Sequence, residues 1–201
     1  WVALRVSLIS VAISIPLGIL LGVLMTRQNR LIRAILRIYL EIIRIMPQMV
    51  LLFLAYFGTA RAFGWNLDGE TAAIIVFALW GTAEMSDLVR GALVSIPRHQ
   101  YESAEALGLT RGQVFRYVVL PQAVSISMPA FMANIIFLLK ETSVFSAISL
   151  MDLMFTAKDL IGLYYKTAEN LFLLVVFYLI ILLPVSLLGS WLERRLRYAG
   201  F

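Results

Sequence analysis

Five long apolar segments dominate the 201-residue sequence and restrict what it can fold into. They cover about residues 3–25, 38–60, 71–94, 117–139 and 171–192. A bilayer core of roughly 30 Å is crossed by about 20 apolar residues in a helix, which satisfies its own backbone hydrogen bonds in lipid. The sequence therefore predicts one all-α integral membrane domain over residues 1–201, with five transmembrane helices.

The composition excludes several other classes of protein. Hydrophobic residues make up 61% of the chain and charged residues 14%, whereas soluble domains average roughly 45–50% and roughly 25%. The sequence has no Cys and a single His, His99, which excludes disulfides and thiol catalysis and predicts no metal site. Because the chain begins at Trp1, we expect that some natural N-terminal residues precede it.

The charges between the apolar segments predict the orientation in the membrane. Residues 26–37 carry four Arg and no acid, residues 96–116 carry three Arg, and the tail adds Arg194, Arg195 and Arg197. In segments 61–70 and 141–169, acidic residues balance or outnumber the basic ones. The positive-inside rule then places the N-terminus outside and the C-terminus in the cytoplasm. The net charge of +5 is explained in this way, and we expect no nucleic-acid partner.

Several features of the segments point towards a transport pathway. The odd number of helices and the lack of an internal repeat favour one subunit of a dimer, with the pathway between subunits. Pro16, Pro47, Pro129 and Pro184 lie inside four segments, which indicates either kinked helices around a cavity or the ordinary abundance of Pro in membrane helices. Gly18 and Gly22 predict close helix packing. Residues 141–169 are too polar to span lipid, and we interpret them as an outer gate or half-helix.

The loop at 95–117 predicts a pair of short helices. Pro97 is suited to beginning one helix and Gly108 to ending it, while Thr110 with Gln113 has the spacing of a capping box. The pair either anchors the loop at the interface or docks another protein through its small residues.

A resemblance to a known family favours docking. Glu102-Ser103-Ala104, Gly108 and Val118-Val119-Leu120-Pro121 resemble the EAA loop of membrane (permease) subunits of bacterial ABC importers. Residues 38–48, Arg90-Gly91-Ala92, Lys140-Glu141-Thr142-Ser143 and Asp152-Leu153 are similar to the polar amino-acid permeases of the histidine/glutamine/arginine/cystine type.

This resemblance implies a type I importer membrane-domain fold in the bacterial inner membrane. It also implies a second permease subunit (a copy or a paralogue), cytoplasmic ABC ATPase subunits that bind ATP and Mg²⁺, and an extracytoplasmic substrate-binding protein. The chain lacks a Gly-x-x-x-x-Gly-Lys-Ser/Thr loop, so we expect a non-catalytic subunit that binds no cofactor itself.

The resemblance also provides candidate site residues. The contacts with the ATPase are expected at Glu102, Ser103, Ala104 and Gly108. The candidates for the substrate pathway are Asp152, Thr142, Ser143, Arg44, Glu84 and Gln48, where an acid such as Asp152 suits an ammonium or cationic group. Arg44 and Glu84 are equally suited to a structural ion-pair network with Asp87 and Arg90.

Other functions remain open on the sequence. The same loop occurs in importers of methionine, osmolytes, metals and sugars, so the amino-acid assignment depends on the weaker motifs. A self-sufficient channel or secondary transporter is disfavoured by the loop and the helix count, and a membrane enzyme by the lack of catalytic clusters.

Overall fold

Helices form the whole framework of the chain. The computed structural model describes residues 1–27 and 29–198, and every regular element in these residues is helical. The α-helices are α1 (Val2–Thr26), α2 (Arg30–Ile45), α3 (Gln48–Phe53), α4 (Thr59–Phe63), α5 (Gly69–Ser95), α6 (Arg98–Ala106), α7 (Arg111–Val114), α8 (Leu120–Glu141), α9 (Leu153–Tyr164) and α10 (Thr167–Tyr198). Leu54–Gly58 and Phe115–Val119 form π turns, and Thr142–Ile148 forms a 3₁₀-helix.

Four of these helical runs are long and apolar enough to cross a bilayer. They are α1, α5, Arg111–Ile148 and α10. The pair Arg30–Ile45 and Gln48–Phe63 passes the same test together, but it is bent by 100°. The predicted membrane helices therefore correspond to four spans and one broken span.

The prediction of one continuous helix over 38–60 is wrong. α2 begins at Arg30, inside the segment predicted as a basic loop, and ends at Ile45. Pro47 lacks an N–H and forces the residue before it into an extended conformation, and Met46 has ψ 130°. The chain therefore turns here, and a new helix begins at Gln48.

α1 and α5 approach each other at backbone distance, as the Gly18/Gly22 pair predicts. A Cβ on Gly18 would lie 2.5 Å from Cβ of Met85, and a Cβ on Gly22 would lie 2.7 Å from the Ser86 carbonyl oxygen. On the other helix, a Cβ on Gly81 would lie 2.5 Å from Oγ of Ser14. Only glycine allows this separation, so these residues fix the spacing of the two helices.

Serines on α1 complete the same interface. Ser7, Ser10 and Ser14 are fully buried and share one face of the helix. The Ser14 hydroxyl donates to the Ala78 carbonyl oxygen at 3.2 Å, and the Ser10 hydroxyl donates to that of Ile74 at 3.4 Å. These hydrogen bonds satisfy polar groups that lie away from water and tie α1 to α5.

Aromatic and aliphatic side chains join α5 to the elements around it. Phe77 of α5 and Phe145 of the 3₁₀-helix are fully buried, with ring centroids 4.8 Å apart. Val6, Leu52 and Leu138 belong to the same core cluster. The broken span, α8 and the 3₁₀-helix are thus positioned around α5.

α10 packs on α8 but leaves most of its apolar side chains exposed. A Cβ on Gly189 would lie 2.9 Å from Cε of Met132, so the two helices approach closely there. Large residues along the helix, such as Phe172, Ile180 and Leu187, are more than half exposed. This surface is suited to lipid or to another membrane helix.

Candidate functional site

The loop between α5 and α8 contains the predicted pair of short helices. Pro97 precedes α6, and Gly108 has φ +81° two residues after the end of α6. The backbone N–H of Thr110 donates to Oε1 of Gln113 at 2.9 Å as α7 begins. Glycine ends the first helix because a left-handed φ is unstrained there, and the capping box begins the second.

The two faces of α6 have different surroundings. Ala104 is buried in a cluster with Ala92 and Ile96 at the end of α5, Val114 of α7 and Val119 of the π turn that follows. Glu102, Ser103 and Gly108 are exposed. The resemblance predicts Ala104 at the contact with a partner, but it packs inside its own chain, where its small side chain allows α6 to lie close to α7 and the π turn.

Leu107 has the spacing to share one helix face with Tyr101 and Ala104, yet its side chain is 83% exposed. The helix ends before Leu107, whose N–H still bonds to the Ser103 carbonyl oxygen at 3.2 Å. An exposed Leu next to Ser103 and Gly108 adds an apolar group to the surface that α6 presents.

Arg44 and Glu84 meet in an ion-pair network between α2 and α5. Nε of Arg44 lies 2.7 Å from Oε1 of Glu84, and its Nη1 lies 2.9 Å from Oδ2 of Asp87. Asp87 also accepts from Nη2 of Arg90 at 2.7 Å. Each carboxylate is occupied by a guanidinium, so the geometry favours the structural role for Arg44 and Glu84. This network fixes α2 against α5 beside the bend at Pro47.

Gln48 and Thr142 are buried at two helix ends. Both polar atoms of the Gln48 amide are buried and lack a hydrogen-bond partner among the described residues. The Thr142 hydroxyl donates to the Leu139 carbonyl oxygen at 2.9 Å. Ser143 is half-buried, and its carbonyl oxygen accepts from the Ser146 hydroxyl. Of these three, Gln48 is the one whose side-chain amide is fully buried without a partner among the described residues.

Asp152 caps the N-terminus of α9 and retains a free carboxylate oxygen. Oδ1 accepts from the N–H of Phe155 at 2.8 Å. Oδ2 is buried and has no hydrogen-bond partner among the described residues. Burial raises the pKa of Asp152, while the Phe155 N–H and the charge of Lys158 oppose this shift. A buried carboxylate with an unoccupied oxygen is suited to receiving a hydrogen-bond donor or a cation.

A cavity of about 300 Å³ lies against Asp152. Its other polar side chains are Thr156 and Asn170, and its apolar wall includes Leu173 and Phe177 of α10. No motif in the sequence points to Thr156 or Asn170, although the spacing of Asp152 and Thr156 places both on one side of α9. Gln48, Thr142 and Ser143 do not line this cavity, so the structure groups only part of the predicted pathway residues.

No group of three His, Asp or Glu side chains in the described part of the chain is arranged to hold a metal ion. The chemistry of this set of residues is therefore that of ion pairs, helix caps and a small polar cavity.

Membrane-length helices around a broken span, with a short exposed helix between two spans, define a membrane transport subunit. Residues 14–198 match the family of binding-protein-dependent transport system inner membrane components, so the chain belongs to this family of ABC importer permeases.

Curated relatives agree with this family. The chain is 31% identical over 195 residues to the glutamine transport system permease protein GlnP of Escherichia coli, covering 96% of this chain and 89% of the relative. It is 29% identical over 194 residues, with the same coverage, to the probable glutamine ABC transporter permease protein GlnM of Bacillus subtilis. The arginine transport system permease protein ArtQ of the same organism is 29% identical over 196 residues, covering 98% of this chain and 90% of the relative.

Solved structures share the fold. An amino acid ABC transporter crystallised with histidines superposes with a TM-score of 0.87 at 29% identity, covering 96% of this chain and 90% of that chain. An inward-facing MetNI methionine ABC transporter superposes with a TM-score of 0.75 at 23% identity, covering 98% and 93%, and this second likeness concerns the fold alone. The predicted type I importer fold, amino-acid permease family and inner-membrane location are confirmed.

Proposed function

We propose that this chain and a second permease subunit, either a copy or a paralogue, enclose an alternating-access pathway for a polar or charged amino acid. Separate ABC ATPase subunits bind ATP and Mg²⁺ and drive the cycle, and a binding protein delivers the substrate. The chain itself catalyses no reaction. The observation that carries this proposal is the exposed surface of α6, which is attached to the membrane helices through Ala104.

The surface of α6 is suited to docking an ATPase. Glu102 offers a carboxylate, Leu107 an exposed apolar group, and Ser103 and Gly108 permit close approach. Ala104 packs on the end of α5 and on the helix that leads into α8. A displacement of α6 is therefore passed directly to two membrane spans, which is how a rigid interface transmits motion.

The proposed orientation places α6 in the cytoplasm and the loop between α9 and α10 outside. Segments 26–37 and 96–116 carry the basic excess that cytoplasmic loops show. The sequence has no Cys, so single Cys residues report sidedness. A membrane-impermeant thiol reagent applied outside spheroplasts should label Tyr165→Cys and leave Leu107→Cys unlabelled. The reverse labelling would refute this orientation.

The substrate class is supported by the glutamine and arginine permeases among the relatives and by the cavity at Asp152. The free Oδ2 of Asp152 can accept from an ammonium or a cationic side chain, and Asn170 and Thr156 add polar contacts. We propose Asp152 as a pathway residue, with Gln48, Thr142 and Ser143 as further candidates. Arg44 and Glu84 are better explained by their ion pairs.

Substitutions on the exposed face of α6 test the coupling role. Ser103→Trp and Gly108→Trp should abolish amino-acid uptake by the assembled transporter while leaving its amount in the membrane unchanged. Gly108→Asn is the control for backbone conformation. Gly108 has φ +81°, and Asn tolerates this region. Gly162→Trp is the matched bulky control, because a Cβ there meets no atom within 4 Å.

The same variants separate the alternatives. ATPase activity of the purified complex should fall, or should no longer depend on substrate, in Ser103→Trp and Gly108→Trp. Uptake at the wild-type rate in both variants would rule out α6 as the coupling surface. Uptake in vesicles that contain this chain without any ATPase would instead indicate a secondary transporter.

A further inference from the structure

A second cavity, lined by cations, lies where α1, α2 and α5 meet. It measures about 300 Å³ and is distinct from the cavity at Asp152. Its lining residues are Met25, Thr26, Arg33, Arg37, Arg90 and Val94. Three of the six are Arg and none is acidic, so the lining itself is positively charged.

Two of the three guanidinium groups, those of Arg33 and Arg90, are held in place by the protein around them. Nη2 of Arg33 donates to the Arg27 carbonyl oxygen at 2.7 Å, which ties α2 to the end of α1. Nε and Nη2 of Arg90 donate to Oδ1 of Asp87 at 3.0 and 2.7 Å. Glu84 and Asp87 together balance the charges of Arg44 and Arg90. The positive charge of Arg33 and Arg37 is left to attract an anion.

The position of the cavity along the spans indicates what kind of anion binds. Thr26 is the last residue of α1, and Val94 is the penultimate residue of α5. Both spans end at this cavity, so it lies at the level where hydrocarbon gives way to lipid headgroups. Met25 and the exposed Val94 add an apolar edge, and Leu31, Ile35 and Ile38 expose apolar side chains along α2.

We propose that this cavity binds the phosphate headgroup of an anionic phospholipid. Guanidinium groups form paired hydrogen bonds to phosphate oxygens, and basic pockets between membrane helices hold acidic headgroups. The apolar surface of α2 and Val94 then contacts the acyl chains. Because Arg90 shares Asp87 with Arg44, the bound lipid stabilises the packing of α2 on α5 next to the bend at Pro47.

Lipid titration of the purified transporter complex, followed by native mass spectrometry, tests this site. Phosphatidylglycerol should bind the wild type, and phosphatidylcholine should bind far more weakly. Arg33→Gln with Arg37→Gln should weaken phosphatidylglycerol binding by about thirtyfold. This corresponds to a loss in affinity of roughly five- to sixfold for each Arg near the membrane surface. Arg33→Lys with Arg37→Lys should retain part of the affinity, because the charge remains while the paired hydrogen bonds are lost.

The control has the same change in charge elsewhere in the chain. Arg194→Gln with Arg195→Gln should leave phosphatidylglycerol binding unchanged, because Arg194 borders a cavity that also contains Glu193 and Arg195 stacks on Trp191. An equal loss of phosphatidylglycerol binding in this control would show that the effect depends only on the total charge of the protein, and it would refute the site.

Two further arms separate the sources of phosphate. Phosphatidylglycerol, but not inorganic phosphate or glycerol phosphate, should raise the melting temperature of the detergent-solubilised wild-type complex. Equal stabilisation by the soluble phosphates would show a free-anion site and refute the lipid assignment. Equal binding of phosphatidylglycerol and phosphatidylcholine to the wild type would refute an anion site, and this measurement does not require that any variant folds.

Discussion

Gly81→Ala tests the backbone-distance contact between α1 and α5. The added Cβ would lie 2.5 Å from Oγ of Ser14 and 3.1 Å from Cδ1 of Leu138 and Cβ of Ser14. Ordinary van der Waals contact begins near 3.4 Å, so α1 must move away by up to about 1 Å. This movement also weakens the hydrogen bond from Ser14 to the Ala78 carbonyl oxygen, which is already 3.2 Å long. Overpacking of this kind costs about 1–3 kcal/mol.

Gly91→Ala is the matched control in the same helix. Gly91 also lies in α5, and a Cβ there meets no atom within 4 Å. Both substitutions gain the same helix preference of Ala over Gly, about 0.5–1 kcal/mol. The difference between the two variants therefore isolates the overpacking energy, and Gly81→Ala should be less stable than Gly91→Ala by about 1–3 kcal/mol.

The assay is reversible unfolding of the purified transporter in mixed micelles of dodecyl maltoside and SDS, followed by circular dichroism. Ser14→Gly removes both atoms of Ser14 that the new Cβ would approach. The double variant Ser14→Gly/Gly81→Ala should therefore recover most of the stability that Gly81→Ala loses relative to Ser14→Gly. Equal stability of Gly81→Ala and Gly91→Ala, or strict additivity in the double variant, would refute the reasoning.

Two further predictions concern charged groups. Burial raises the pKa of Asp152 above 3.8, so its contribution to stability is complete below pH 3.8 and is lost as pH rises through the higher folded-state pKa. The stability of the wild type relative to Asp152→Asn should therefore fall with rising pH. A difference in stability that does not change with pH would contradict a raised pKa. Asp152→Asn should also raise the KM for uptake with little loss of transporter from the membrane, since Asn still caps α9, whereas an unchanged KM would remove Asp152 from the pathway. Arg44→Ala should destabilise the protein by only about 1 kcal/mol, because its ion pairs are partly exposed. The same substitution in a Glu84→Ala/Asp87→Ala background should cost much less stability. An equal cost in both backgrounds would show that the ion pairs do not stabilise the protein.

The sequence identifies most of the framework because the relevant signals are local. Apolar length defines the spans, Gly18 and Gly22 indicate the close helix pair, and Pro97, Gly108 and Gln113 define the short helices of the loop. Each of these signals follows from backbone geometry or from the cost of unsatisfied groups in lipid. The motif around Glu102 identifies the family, which helix periodicity alone does not indicate.

The remaining features depend on contacts between distant residues. Pro47 ends α2 locally, but α2 is held on α5 by the pairs of Arg44 with Glu84 and Asp87, which the sequence offers only as one of two roles for Arg44 and Glu84. Ala104 is buried and Leu107 exposed because α6 ends at Ala106 and Ala104 packs in the cluster that contains Val114 and Val119. The serine face of α1 is visible in the spacing of Ser7, Ser10 and Ser14, yet its partners on α5 are 64 residues away.

The glycine and serine contacts between α1 and α5 restrict how the permease can change conformation. Side chains that interlock at backbone distance prevent one helix from sliding along the other, because each step would drive Met85 into Gly18 and Ser14 into Gly81. Shear at this interface would incur the cost of overpacking at these contacts, so we expect the two helices to move as one rigid body. The rotation needed to open and close a pathway then falls on joints such as Met46–Pro47, where the backbone already turns by 100° between helices.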